Sequence, residues 1–191
     1  MAFHTVVIDA GHGGHDRGGV PGQQASEKTL ALDVALRVAE KMKASGVKVV
    51  MTRSDDTFIS LDRRTAIGNA QASGTLFVSI HFNSAWRRGA NGFETFYHLE
   101  KAAPVAARIN RELEKVRQGE KRGAKQRGFY VLRKSRHAAV LVECGFLTNP
   151  AEAALCLQPS YREKLAEAIV KGIRGDVKSP DDRQLRGDGA P

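Results

Sequence analysis

The feature of this sequence that most constrains its fold is the alternation of short apolar segments with longer segments of helical periodicity. Short, β-branched apolar segments predict strands at residues 5–9, 47–52, 76–80, 92–97, 129–132 and 139–142. Helical spacing and helix-start signals predict helices at residues 26–45, 60–72, 105–118 and 161–173, and another from about residue 150. This alternation favours a single α/β domain with a mostly parallel twisted sheet flanked by helices on both faces.

The length of 191 residues fits one domain. We expect the folded domain at residues 1–174 and a disordered tail at residues 175–191, which are polar and lack hydrophobic periodicity. No apolar run approaches the roughly 20 residues of a membrane span. The first residues also lack the basic and apolar regions of a signal peptide, so any export signal of the natural protein lies outside this chain.

The net charge of +9 is concentrated in one segment. Residues 100–137 contain 12 Lys and Arg against 4 Asp and Glu. Such a block favours an anionic partner, and nucleic acid, a membrane surface and an anionic wall polymer are the three alternatives. It also fits a solvated helix face. Aromatic residues make up only 6% of the chain, and the usual nucleic-acid-binding motifs are absent. The hypothesis that this chain binds nucleic acid is therefore supported by charge alone, and we expect no such partner.

Four chemically versatile side chains lie at the ends of predicted strands or at the start of a helix. His12 follows the first strand within a glycine-rich turn, and His81 and Glu143 each directly follow an apolar strand. Glu27 lies in the first turn of the helix after the first strand. Because the carboxyl ends of parallel strands share one edge of a sheet, we expect these four side chains to converge.

Two imidazoles and one carboxylate with an open fourth position form a catalytic zinc set. The two cysteines, Cys144 and Cys156, are too few for an all-thiolate site, and we expect them to be buried. A further carboxylate beside a metal-activated water acts as general base and then as general acid, which is the chemistry of amide hydrolysis. The set therefore predicts a metal-assisted hydrolase.

Each residue also has a simpler explanation on its own. A histidine after a strand is commonly a turn residue, and Glu27 is favoured by the dipole at a helix N-terminus. Glu143 is harder to explain in this way, because a carboxylate that closes an apolar strand is partly buried and needs a partner. The prediction therefore depends on the joint placement of the four residues.

The same residues lie within a set of motifs that resembles a known family. The motifs are VVIDAGHGGHDRGG, the Glu-Lys pair at residues 27–28, TRSDDTFISLDRRTAIGNA, LFVSIHFNSA, NGFETFYH, FYVLRKSRHAAVLVECGFLTNP and YREKLAEAIVKGI. Together they resemble the zinc-dependent N-acetylmuramoyl-L-alanine amidases, specifically the amidase type 3 catalytic domain. The resemblance covers roughly residues 5–173 and follows the family's order of motifs.

The resemblance implies that one zinc ion is bound by His12, Glu27 and His81, with Glu143 as the catalytic carboxylate. It further implies cleavage of the amide between N-acetylmuramic acid and L-alanine in peptidoglycan, and therefore a location in the cell envelope. Arg64 and Asn69 match family positions that we interpret as structural. They are expected to hold loops by hydrogen bonds.

Three further residues are candidates for substrate binding. They are Asn83, just beyond His81, and Trp86 and Arg87 in the following loop. A turn or loop-tip role explains each of them equally well. That loop is too short for the autoinhibitory helix found in some family members, so we expect an open site in a monomeric enzyme.

Two other functions remain open at this point. A wall-binding pseudoenzyme on the same fold is expected to lack one or more of the metal-site residues, all of which are present here. A zinc peptidase or deacetylase acting on another amide is disfavoured by the motifs but not by the chemistry.

Overall fold

The computed structural model describes residues 3–20, 23 and 25–175, so nearly all of the predicted tail lies outside the described residues. The six strands are β1 (Thr5–Ala10), β2 (Lys48–Met51), β3 (Thr75–Asn83), β4 (Phe93–Tyr97), β5 (Lys121–Gln126) and β6 (Ala138–Phe146). The α-helices are α1 (Glu27–Ala44), α2 (Leu61–Asn69), α3 (Ala103–Val116), α4 (Tyr130–Arg133), α5 (Pro150–Cys156) and α6 (Pro159–Arg174).

The six strands form one sheet in the order β2-β1-β3-β6-β4-β5. β1 is parallel to β2 and β3, β3 is parallel to β6, and β4 is parallel to β5. Only the β4–β6 pair among these strands is antiparallel. The predicted α/β domain with a mostly parallel sheet is therefore confirmed.

Helices cover both faces of the sheet, as predicted. The larger core packs α1, α3 and α6 against one face, and its α1 residues recur at helical spacing: Leu30, Val34, Ala35, Val38, Ala39 and Met42. The smaller core joins Val131 and Leu132 of α4 to the opposite face, with Ile67 of α2 packed against it. Cys144 and Cys156 are buried and free. Within the described ranges, every helix is too short or too polar to cross a bilayer.

The prediction of a strand at residues 129–132 is wrong, because Tyr130–Arg133 is a helical turn. A four-residue apolar run does not distinguish a strand from a buried helix segment. The edge strand β5 was not predicted, since its sequence KRGAKQ has no apolar alternation. Charged residues on an edge strand discourage pairing with other chains. β3 and β6 also extend beyond their predicted ends, so His81 and Glu143 lie inside strands.

The contact between α3 and α6 yields a test of the packing. A Cβ on Gly172 would lie 2.4 Å from the Cα of Ile109, so the two helices meet at backbone distance. We expect Gly172→Ala to lower the free energy of unfolding by about 2 kcal/mol in urea titrations, because overpacking costs more than helix propensity recovers.

Gly128→Ala is the matched control, because a Cβ there meets open space. We expect its free energy of unfolding to change by less than about 0.5 kcal/mol. Equal unfolding midpoints for the two variants would contradict the close helix contact.

Candidate metal centre and cleft

The sheet brings the predicted residues to one edge because β1, β3 and β6 are adjacent and parallel. His12 lies two residues beyond the end of β1, and His81 on β3 is in direct register with Glu143 on β6. Beyond this pair the register shifts, so that Asn83 lies opposite Phe146. Glu27 opens α1 and is buried below both imidazoles.

Glu27 is the centre of the cluster. Its Oε1 atom lies 3.0 Å from Nε2 of His12 and 3.0 Å from Nδ1 of His81. The two imidazole rings are nearly perpendicular, with centroids 4.9 Å apart. One ligand atom from each of the three residues lies within 4.8 Å of the others, which is the spacing of a metal site.

The surroundings of this cluster fit a bound divalent metal. Nitrogen and carboxylate donors suit zinc and similar ions, and three protein ligands leave a coordination position free. The His81 ring packs directly on the backbone of Gly11, where a Cβ would lie 2.4 Å from the ring. Any larger residue at position 11 would therefore displace the imidazole.

Asp16 holds the side chain of His12. Its Oδ2 atom lies 2.9 Å from Nδ1 of His12, while its Oδ1 atom accepts a hydrogen bond from the amide of Gly18 at 3.1 Å. A carboxylate on one ring nitrogen keeps the proton there and leaves the other nitrogen to face a metal. Asp16 therefore directs Nε2 of His12 toward Glu27.

Two arginines hold the backbone of the same loop. His12 has a φ of 60°, a left-handed conformation that is unfavourable for a non-glycine residue. Arg64 donates from Nη2 to the His12 carbonyl at 2.6 Å, and Arg53 donates from Nη2 to the Gly11 carbonyl at 2.6 Å. These bonds stabilise the strained turn and so keep the imidazole over Glu27.

The charges in the cluster follow from these contacts. Burial opposes ionisation of Glu27, but hydrogen bonds from His12 and His81 outweigh it and lower the pKa of Glu27 to about 2. Burial likewise opposes protonation of His12, and its contacts with Glu27 and Asp16 still raise its pKa. Glu27 is therefore an anion at neutral pH, as a metal ligand must be.

Glu143 has the opposite environment. Burial and then the nearby carboxylates of Glu27 and Glu94 raise the pKa of Glu143 well above its ordinary value. Its Oε2 atom is buried and has no hydrogen-bond partner among the described residues. An unsatisfied buried carboxyl oxygen is costly in a purely structural role, so this group is suited to hold and release a proton.

The cluster and Glu143 line a cleft of about 410 Å³. Phe58, Leu61 and Phe129 form an apolar side of this cleft and are partly exposed to solvent. The loop at residues 84–92, which joins β3 to β4, contains no helix.

The three predicted substrate-binding residues have different surroundings. Asn83 lines the cleft, but its Nδ2 donates to Glu94 at 2.8 Å and its Oδ1 accepts from the amide of Ser84. Trp86 is fully exposed beside a neighbouring groove. Arg87 pairs with Glu120 at 2.6 Å and lines neither the cleft nor that groove.

The two residues expected to hold loops do so. Arg64 also donates from Nε to the carbonyl of Ile59, and Asn69 bridges the carbonyl of Lys134 and the amide of Arg136. Sequence reasoning missed the roles of Arg53 and Asp16. Asp16 lies four residues after His12, but a glycine-rich turn has no regular geometry that would have predicted their contact.

The sequence profile of a family described as N-acetylmuramoyl-L-alanine amidase matches residues 6–175. An uncharacterized protein of Bacillus subtilis, YqiI, is 42% identical over 88% of this chain and 82% of its own length. The B. subtilis N-acetylmuramoyl-L-alanine amidase LytC is 39% identical over 88% of this chain, which spans only 34% of LytC.

Solved structures have the same fold. The catalytic domain of CwlV, an N-acetylmuramoyl-L-alanine amidase from Bacillus (Paenibacillus) polymyxa var. colistinus, aligns with a TM-score of 0.82 at 36% identity. That alignment covers 91% of this chain and 96% of the CwlV domain. The amidase AmiC2 of Nostoc punctiforme aligns with a TM-score of 0.82 at 36% identity, covering 88% of this chain and 94% of AmiC2.

The contact between Asp16 and His12 can be tested without an activity assay. We expect Asp16→Asn to weaken zinc binding about 10–100-fold, because the amide is a poorer acceptor for the Nδ1 proton. The measurement is competition with a chromophoric chelator.

Asp56→Asn is the matched control for this test. Asp56 binds the same glycine loop through the amide of Gly14 and pairs with Lys28, but it does not contact His12. We expect near-normal zinc affinity for this variant. Equal losses in both variants would mean that Asp16 only stiffens the loop.

Proposed function

This chain belongs to the N-acetylmuramoyl-L-alanine amidase family of enzymes, and we propose that it uses one zinc ion to hydrolyse the amide between N-acetylmuramic acid and L-alanine in peptidoglycan. His12, Glu27 and His81 would hold the zinc, and Glu143 would be the catalytic acid and base. The observation that carries the proposal is the position of Glu143, which is in register with His81 and has one buried carboxyl oxygen with no hydrogen-bond partner in the part of the chain that the structure describes.

The ligand set fits zinc for chemical reasons. Two imidazoles and one carboxylate leave a coordination position free, which is the pattern of catalytic rather than structural zinc. When bound, zinc supplies a water of lowered pKa and polarises the scissile carbonyl. The contact between Asp16 and Nδ1 of His12 supports this assignment, because zinc-bound histidines almost always donate a hydrogen bond from the N–H of their other ring nitrogen to such a partner.

Glu143 would move the proton during the reaction. Its carboxylate accepts a proton from the attacking water, whose oxygen forms the new bond to the lactyl carbonyl carbon. The same carboxyl group then donates that proton to the L-alanine nitrogen as the carbon–nitrogen bond breaks. The raised pKa of Glu143 favours holding the proton between these two steps.

The location follows from the substrate. LytH of Staphylococcus epidermidis, a probable cell wall amidase, is 32% identical over 89% of this chain, which spans 57% of LytH. A peptidoglycan substrate places this enzyme in the cell envelope. We also propose that it acts as a monomer with an open cleft.

Replacement of the proposed acid and base gives the first functional test. We expect Glu143→Gln to lower kcat about 10²–10⁴-fold while zinc content remains one ion per chain, because the amide cannot accept the proton. The assays are turnover of purified sacculi and elemental analysis. Near-normal turnover with full zinc occupancy would remove Glu143 from the mechanism.

The metal ligands give the second test. We expect His12→Ala, Glu27→Ala and His81→Ala each to lower zinc occupancy, and a chelator to abolish activity that added zinc restores. Full occupancy in any one variant would exclude that residue as a ligand. Activity that survives complete removal of metal would overturn the zinc proposal as a whole.

Product analysis separates this function from its alternatives. Mass spectrometry of digested sacculi should show new L-alanine amino termini and intact glycan, without an added activator protein. Cleavage at another amide would indicate a different zinc hydrolase, and binding to sacculi without cleavage would indicate a pseudoenzyme. Strict dependence on an activator would contradict the open cleft.

A further inference from the structure

Exposed apolar side chains are concentrated around the metal cleft. Seven large apolar side chains are exposed in the part of the chain that the structure describes. Phe58, Leu61 and Phe129 border the cleft, and Val20 and Trp86 border an adjoining groove. Five of the seven therefore border these two adjoining depressions, and exposed apolar groups that cluster mark a binding surface.

The adjoining groove has a volume of about 510 Å³ and runs beside the cleft. Trp86 and Arg88 from the β3–β4 loop form one wall, and Leu147 and Pro150, between β6 and the start of α5, line it as well. Ser84 lines both the groove and the metal cleft, so the two depressions adjoin at this residue. A substrate held at the metal can therefore extend into the groove.

Hydrogen bonds join the β3–β4 loop to the segment before α5. The amide of Ala85 donates to Oγ1 of Thr148 at 3.0 Å, and Nδ2 of Asn149 donates to the carbonyl of Ala90 at 3.1 Å. These bonds hold both ends of the loop that contributes Trp86, and they thereby fix the wall of the groove. A preformed groove binds an extended ligand at a lower entropic cost than a mobile loop.

Charge indicates which part of the substrate fits. Arg88 is exposed and, within the described ranges, no carboxylate lies within 4 Å of its guanidinium, whereas the neighbouring Arg87 is paired with Glu120. Guanidinium groups bind carboxylates in a bidentate manner. In the proposed substrate the muramic acid carboxyl is consumed in the scissile amide, so the free carboxylates belong to the stem peptide.

We propose that this groove is the stem-peptide subsite, in which Arg88 binds a stem-peptide carboxylate and Trp86 packs against the peptide. The inference rests on the proposed function, because that function places the L-alanine nitrogen at the metal. A peptide advances about 3.3–3.6 Å per residue, so residues just beyond L-alanine would reach the groove past Ser84, which lines both depressions. The subsite thus selects acidic stem peptides over amidated ones.

The experiment compares two muramyl tetrapeptides that differ only at the second residue, which has either a free α-carboxylate or its amide. We expect Arg88→Gln to lower kcat/KM on the acidic substrate about tenfold more than on the amidated one, as for loss of a hydrogen bond to a charged group. Arg88→Lys should recover part of the difference. Trp86→Ala should raise KM on both substrates to a similar degree.

Arg111→Gln is the matched control, because it removes an exposed guanidinium on α3, outside the cleft and the groove. We expect its kcat/KM to be unchanged on both substrates. Equal losses on the acidic and amidated substrates in Arg88→Gln, or no loss on either, would overturn the proposal. Losses that grow with glycan length rather than with peptide charge would assign the groove to glycan and also overturn it.

Binding of the free peptide separates this inference from the proposed function. Calorimetry measures the affinity of wild type and Arg88→Gln for the acidic stem peptide alone. Weaker binding of the peptide by Arg88→Gln than by wild type supports the subsite, whether or not wild type cleaves the tetrapeptides. Failure of wild type to cleave either tetrapeptide counts against the amidase function alone. Cleavage of both tetrapeptides by wild type with equal peptide affinity in Arg88→Gln leaves the function intact and refutes the subsite.

Discussion

The buried ion pair between Asp9 and Arg64 is the interaction on which the site depends. Asp9, at the end of β1, also accepts hydrogen bonds from Thr52 at 2.7 Å and Ser79 at 2.6 Å. The pair therefore joins β1, the end of β2, β3 and α2, while the same Arg64 donates to the carbonyl of His12. Because an unpartnered buried charge costs about 3–5 kcal/mol, the pair fixes these elements together. The turn that carries His12 inherits its position from this network.

Much of the fold and the core of the site could be predicted because they depend on strong, regular patterns. The stripe from Leu30 to Met42 has helical period over about three and a half turns, and it faces the larger core. Parallel strands align their carboxyl ends, so the polar residues after β1 and within β3 and β6 had to meet. That argument needs the order of strands only approximately. His12, His81 and Glu143 could therefore be predicted to lie together, although the predicted ends of β3 and β6 were too early.

The remaining features depend on the path of loops and on short segments, whose sequences have no hydrophobic periodicity from which a structure could be predicted. A short apolar run such as the one in α4 packs equally well as strand or helix, and the basic strand β5 has no apolar face that would indicate its pairing. For the same reason the sequence could not distinguish the roles of Arg87 and Arg88. They are adjacent cations in one loop, but Arg87 pairs with Glu120 whereas Arg88 lies beside the groove. Asp16 was missed for the same reason.

Two carboxylates with opposed environments provide the final link between structure and chemistry. Hydrogen bonds from two histidines outweigh burial at Glu27 and lower its pKa to about 2, whereas burial and neighbouring carboxylates raise the pKa of Glu143. Pairs of titratable groups whose environments separate their pKa values identify the anion and the proton carrier in many active sites. Glu94 lies directly opposite Glu143 on the adjacent strand, and Lys125 pairs with Glu94 at 2.6 Å. Glu94 therefore already has a cationic partner. Among the described residues Glu143 has no cationic partner, so its buried carboxyl group is suited to hold and release a proton, as the proposed role requires.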